Sequence, residues 1–124
     1  MPAPFVHLRV HSAYSLAEST LRLKSIAALV GGDSQPAVAI TDTNNMFGAL
    51  EFSQKMRDSG VQPVIGLECL VGDARGHGEV VLLAQDEAGY AALCRHNSKA
   101  LLEVEGGDDP VIPLDGLLAD GQGL

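Results

Sequence analysis

"PAVAITDTNNMFGALEFSQKMRDSGVQPVIGLECLV", residues 36–71, reads as a strand, a polar loop, a helix and a second strand in direct succession. The run "PAVAIT" at 36–41 is entered by proline and ended by the polar "DTNN", which is how a buried strand delivers its carboxyl end into a loop. Asn44 or Asn45 can cap a helix over 46–59, where Met46, Ala49, Leu50, Ser53 and Met56 repeat as a narrow stripe of apolar or small residues. Gly60 supplies its stop, and "PVIGLECLV" at 63–71 follows as a strand with one acid, Glu68, in apolar surroundings.

Toward the amino terminus, "FVHLRV" at 5–10 predicts a first strand with Phe5, His7 and Arg9 on one face and Val6, Leu8 and Val10 on the other, ending at His11. A helix over 20–30, capped by Ser19 or Thr20, places Leu23, Ile26, Ala27 and Val30 at helical spacing, and Gly31 and Gly32 stop it. Toward the carboxyl terminus, "GDARGHG" predicts a turn and "EVVLLA" at 79–84 a fourth strand. Asp86 caps a helix over 87–102 with Tyr90, Leu93, Cys94, Asn97 and Leu101 on one face. A short helix is expected over 114–119, and Leu124 reads as the opening of a further strand. Strand and helix alternate, so an α/β layer or barrel is the economical architecture. A barrel cut after about four strands leaves an open sheet edge and an unfilled interior. Residues 1–124 are therefore expected to be one partial domain, the amino-terminal portion of a larger barrel.

Composition narrows the chemistry. Of 124 residues, 46% are hydrophobic and only 4% aromatic, so the core must be assembled from Val, Leu, Ile and Ala. Eight basic against 16 acidic residues give a formal charge of −8, which repels phosphate backbones and argues against a direct nucleic-acid surface. Cys69 and Cys94 stand far apart without metal-type spacing and read as reduced thiols. No apolar run approaches the roughly 18 residues that cross a bilayer, and the first residues lack the long apolar region of a signal peptide. A cytoplasmic location without membrane contact is the expectation.

In α/β folds chemistry collects at the carboxyl ends of strands, and His11, Asp42 and Glu68 fall at or near three such ends. Imidazole and carboxylates converging from separate strands suit zinc, manganese or iron, while each residue alone reads equally well as a hydrogen-bonded or capping side chain. His7 reads as a polar residue on the first strand or its edge, His96 as surface or interface, and Tyr14 and Tyr90 as packing residues. No phosphate-binding loop, dinucleotide fingerprint, or serine or cysteine nucleophile motif is present.

"FVHLRVHSAYSL", "AITDTNNMFGALEFSQKM", "GVQPVIGLE" and "VVLLAQDEAGYAALCRHNSKA" together resemble the amino-terminal polymerase-and-histidinol-phosphatase (PHP) domain of bacterial DNA polymerase III alpha subunits (DnaE). The likeness runs in order over about residues 5–103, and "IPLDGLLADGQGL" resembles the segment that follows in that family. It implies a distorted, TIM-barrel-like β/α barrel of which these residues form roughly the first half. It also implies a metal site whose ligands have changed. Arg9, Thr43 and Glu79 stand where metal-bearing members carry histidines, while His11, Glu18, Asp42 and Glu68 match positions of the family site. A guanidinium stays protonated and cannot ligate a metal. His77 is offset by two residues from the third histidine position. Further ligands belong to motifs beyond these residues.

The implied function is that of a non-catalytic module of a replicative DNA-directed DNA polymerase, one that docks the proofreading exonuclease subunit among other replicase subunits. DNA would be met by other domains of the parent chain. No cofactor is then expected within these residues; magnesium belongs to the polymerase domain, and zinc or manganese only to an active PHP site. Arg9 is expected to replace missing cations among Glu18, Asp42 and Glu68. The competing expectation is an active metal-dependent PHP phosphoesterase or 3′–5′ exonuclease working through metal-bound hydroxide.

Overall fold

The structure, a computed structural model, describes residues 5–124. Its centre is β2 (Gln62–Asp73), a 12-residue strand that meets different partners along its length. Residues 62–65 pair in parallel with β1 (Ala37–Ile40), and further along the same edge residues 70–72 pair in parallel with β4 (Val111–Pro113). On the opposite edge residues 66–73 pair antiparallel with β3 (Gly76–Leu83). The expected strand–helix–strand unit is thus present, with α2 (Ala49–Asp58) connecting β1 to β2. Residues 76–78, expected within a turn, already belong to β3, so the second connection is a tight hairpin without a helix. Gly66 makes the crowded middle of β2 feasible: a Cβ there would lie 2.7 Å from the Leu82 carbonyl oxygen.

The expected first strand is only partly formed. Residues 5–10 run parallel beside β1 through a bridge between His7 and Val38. The Ala39 N–H donates to the His7 carbonyl at 2.9 Å and the Thr41 N–H to the Val10 carbonyl at 2.8 Å. Two residues advance on β1 for three on the segment, so one extra residue interrupts the ladder. At the end of the segment the expected alternation holds: Val10 turns inward against the core, while Arg9 and His11 both reach Glu68 on the other side; Leu8, expected on the face of Val10, is 50% exposed.

Two apolar clusters flank this sheet. In the first, Leu23, Ile26, Ala27 and Val30 of α1 (Leu23–Gly32) meet Val38, Ile40, Phe52, Met56 and Val61. In the second, Leu67, Cys69 and Val71 of β2 meet Ile112 of β4 and Leu93 and Ala100 of α3 (Glu87–Glu103). Alternate residues of β2 therefore feed the second cluster, leaving Glu68 on the opposite face.

Several boundaries shift for local reasons. α1 starts at Leu23, because the Ser19 hydroxyl is occupied with the His11 carbonyl (2.8 Å) and the Leu21 N–H (3.2 Å) instead of capping; Gly31 and Gly32 lie inside the helix. α2 starts at Ala49, because Asn45 accepts the Phe47 N–H in a turn before the helix. Its inward stripe is Ala49, Phe52 and Met56, whereas Leu50, expected inside, is 71% exposed. Gly60 ends it at φ 73°, as expected. Asp86 caps α3 by accepting the Gly89 N–H at 2.9 Å, but the buried face is Gly89, Ala92, Leu93 and Ala100, with Tyr90 and Leu101 outside. α4 (Leu114–Ala119) forms where expected, and Leu124 packs on the second cluster outside any strand. Among the described residues no helix is long and apolar enough to cross a membrane.

The rotated α2 stripe is directly testable. Phe52→Ala should lower unfolding free energy by about 3–5 kcal/mol in urea titrations, and Leu50→Ala should stay within about 0.5 kcal/mol of wild type. Equal losses at both positions would contradict the observed face.

Candidate functional site

Asp42 is buried at the carboxyl end of β1, and its oxygens are spent on the loop that follows the first segment. It accepts the Ser12 N–H (2.6 Å), the Ser12 hydroxyl (2.7 Å) and the Ser15 hydroxyl (2.7 Å). The Ser15 oxygen in turn accepts the Thr43 N–H at 3.0 Å. A buried carboxylate with this many donors is held firmly. Ser12 and Ser15, both buried, were not among the expected site residues; short hydroxyl side chains near a strand end carry no periodic signal. Asp42 thus braces the loop and is not part of the neighbouring acidic group.

That group is His11, Glu18 and Glu68, each offering a ligand atom within 4.8 Å of the others. His11 Nδ1 lies 3.4 Å from Glu18 Oε2, and its buried Nε2 approaches Glu68 Oε2 at 2.5 Å, off the hydrogen-bond axis and without a hydrogen-bond partner. Glu18 is delivered by the turn over residues 12–19, in which Ala17 adopts φ 64°, a left-handed conformation costly for a residue with a Cβ. Thr43 is drawn in as a donor: its hydroxyl lies 2.6 Å from Glu18 Oε2 and 3.4 Å from Glu68 Oε2.

Arg9 closes the site from the outside. Its Nε and Nη2 lie 2.6 Å and 2.5 Å from Glu68 Oε1. Glu68 is 8% exposed and Arg9 61%, so the guanidinium supplies charge at the rim to a carboxylate that is withdrawn from water. Glu79 and His77 are both exposed along β3, opposite Leu70 and Gly72, and neither belongs to the cluster. His7 and the Arg9–His11 rim line a groove of about 560 Å³ floored by Leu21, Ile26, Leu29 and Val38. His96 sits at the junction of α3 and the end of α4, where its Nε2 lies 2.7 Å from the Asp120 carbonyl oxygen.

Against this geometry, a family model described as the PHP domain matches residues 7–122. The DNA polymerase III subunit alpha of Caulobacter vibrioides is 40% identical over 128 residues, covering 97% of this chain and 11% of that protein. The chain therefore spans about a tenth of the length of this curated relative. An amidohydrolase of Chromobacterium violaceum, solved with bound sulfate and no metal, superposes with TM-score 0.61 at 21% identity over 77% of this chain and 32% of its own. A protein of Bifidobacterium adolescentis named as a metal-dependent phosphoesterase superposes with TM-score 0.58 at 17% identity over 97% of this chain and 51% of its own. These likenesses bear out the mixed α/β fold expected of a partial barrel.

Two measurements probe how the site is held. Asp42→Asn should cost about 2–4 kcal/mol in urea unfolding, because an amide cannot accept all of these donors; a loss below about 0.5 kcal/mol would show that the loop does not depend on it. Burial, with the neighbouring Glu68 charge adding to it, pushes the Cys69 thiol from its ordinary 9.0 up to about 11. A raised folded-state pKa gives stability that is complete below the unfolded value and lost as pH rises through the folded one. Between about pH 8.5 and 11 wild type should therefore lose about 2 kcal/mol more than Cys69→Ala.

Proposed function

The chain belongs to the PHP domain family, and from that membership we propose that it is the amino-terminal PHP module of a bacterial DNA polymerase III alpha subunit. In this reading the parent polypeptide is a cytoplasmic DNA-directed DNA polymerase. Nucleotidyl transfer belongs to magnesium-binding carboxylates elsewhere in that polypeptide, and this module docks the proofreading exonuclease subunit.

The observation that carries the non-catalytic assignment is the Arg9–Glu68 contact. Glu68 is the buried carboxylate that a metal in this pocket would have to share, and one of its oxygens already receives two guanidinium nitrogens. A fixed positive charge there opposes a cation placed beside it. Among the described residues His11, Glu18 and Glu68 converge as ligands, and the Arg9 guanidinium stands against the same carboxylate that they share. No hydrolytic step is assigned to these residues.

A second reading, a metal-dependent PHP phosphoesterase or 3′–5′ exonuclease, draws on the convergence of those three side chains and on the hydrogen-bond-free, buried His11 Nε2. Titrating the complete domain with zinc or manganese separates the two. The module reading expects no stoichiometric tight binding and no metal-dependent hydrolysis of a phosphomonoester; saturable binding with activity overturns it. Arg9→Ala should lower stability by about 1 kcal/mol, a value tempered by the exposure of the guanidinium. An unchanged melting temperature would remove Arg9 from the role of cation substitute.

A further inference from the structure

β3 stands at the edge of the sheet, and its ladder shows which backbone groups face outward. The Ala84 N–H donates to the Ile65 carbonyl at 2.8 Å, and in an antiparallel ladder only alternate residues turn their backbone groups toward the partner strand. In the register Leu67–Leu82, Cys69–Val80 and Val71–Gly78, the residues in step with Ala84 are Leu82, Val80 and Gly78, so these face β2. His77, Glu79 and Val81 therefore turn N–H and C=O away from it. Among the described residues this outer side is met only beyond its far end, where the Gln85 N–H donates to the Gly123 carbonyl at 2.7 Å.

An open edge is a template for another strand unless proline, lysine or a bulge guards it. The sequence of β3, "GHGEVVLL", holds neither proline nor lysine, its register runs without a bulge, and residues 76–80 are exposed. His77 and Glu79 lie on one face of the strand, opposite Gly72 and Leu70. Both are exposed, stand outside the acidic cluster and have no ion-pair partner among the described residues.

These two side chains make the edge self-complementary. Outward residues can pair only with outward residues, so a second copy set antiparallel about a twofold axis has few registers open to it. Centred on His77 or on Glu79, the pairing opposes like side chains; centred on Val80, it sets Glu79 against Val81. Centred on Gly78, it sets His77 opposite the partner's Glu79 and Glu79 opposite the partner's His77. An imidazole N–H then donates to a carboxylate in both pairs, and the backbones exchange hydrogen bonds in both directions. On the reverse face Gly78 meets its own copy with no side chain in the way.

We propose that β3 joins two copies of this chain by antiparallel edge pairing centred on Gly78, with reciprocal His77–Glu79 pairs fixing the register. The contact is short, so the association is weak and concentration-dependent. It is separate from exonuclease docking and brings two parent polypeptides together.

The test is analytical ultracentrifugation of the complete parent polypeptide over a range of concentrations, for wild type, His77→Glu, and His77→Glu combined with Glu79→Lys. Wild type should show a monomer–dimer equilibrium. His77→Glu opposes two carboxylates in each pair and should weaken dimerisation about tenfold or more, with the melting temperature of the monomer unmoved because the side chain is exposed. The combined variant should restore dimerisation, since opposite charges face each other again in both pairs. A monomer at every concentration overturns the proposal, as does a dimer indifferent to His77→Glu or one that the combined variant fails to restore. Slow amide exchange at His77, Glu79 and Val81 in the dilute monomer overturns it too, because another part of the same polypeptide then covers the edge.

Discussion

The buried Asp42 carboxylate is the constraint on which the functional face depends. It stands at the end of β1 yet spends its oxygens on Ser12 and Ser15, so it ties a loop that would otherwise be free to the rigid sheet. Everything carried by that loop inherits the tie. His11 precedes it, Glu18 follows it, and Tyr14 sits inside it, so the acidic cluster and the exposed Tyr14 are placed by the same interaction. A carboxylate this well supplied with donors is stable without a metal, because the N–H and hydroxyl dipoles do the work that a cation would do.

What could be read in advance follows from how each signal arises. The order of elements was legible because proline, glycine and apolar runs punctuate residues 36–71 strongly, and the Asp86 cap and Gly60 stop are local features. The inward face of α2 was not: Leu50 and Phe52 are both apolar, and only packing against α1 selects Phe52. The interrupted ladder at residues 7–10 escaped for a related reason. A one-residue slip leaves no mark on composition, yet it interrupts the ladder between the segment and β1.

The candidate site divides along the same line. His11, Glu18 and Glu68 were expected together and are brought together, and Arg9 reaches Glu68 as its charge suggested. Asp42 was expected with them and is engaged elsewhere, because its fate depends on two serines from a different part of the chain. Residue type announces what a side chain can do; only the partners that the fold supplies decide which of those things it does.

This division separates the support of the loops from the charges they carry. The scaffold of the loops rests on Asp42, Ser12, Ser15 and Asn45, none of which is in the Glu68 cluster. Ligand positions can therefore change without unseating the loops, provided that the charge of Glu68 stays compensated. Arg9 supplies that compensation from the rim, where its own desolvation is small. A fold that keeps its loops rigid presents a preorganised surface, and preorganisation is what protein recognition requires.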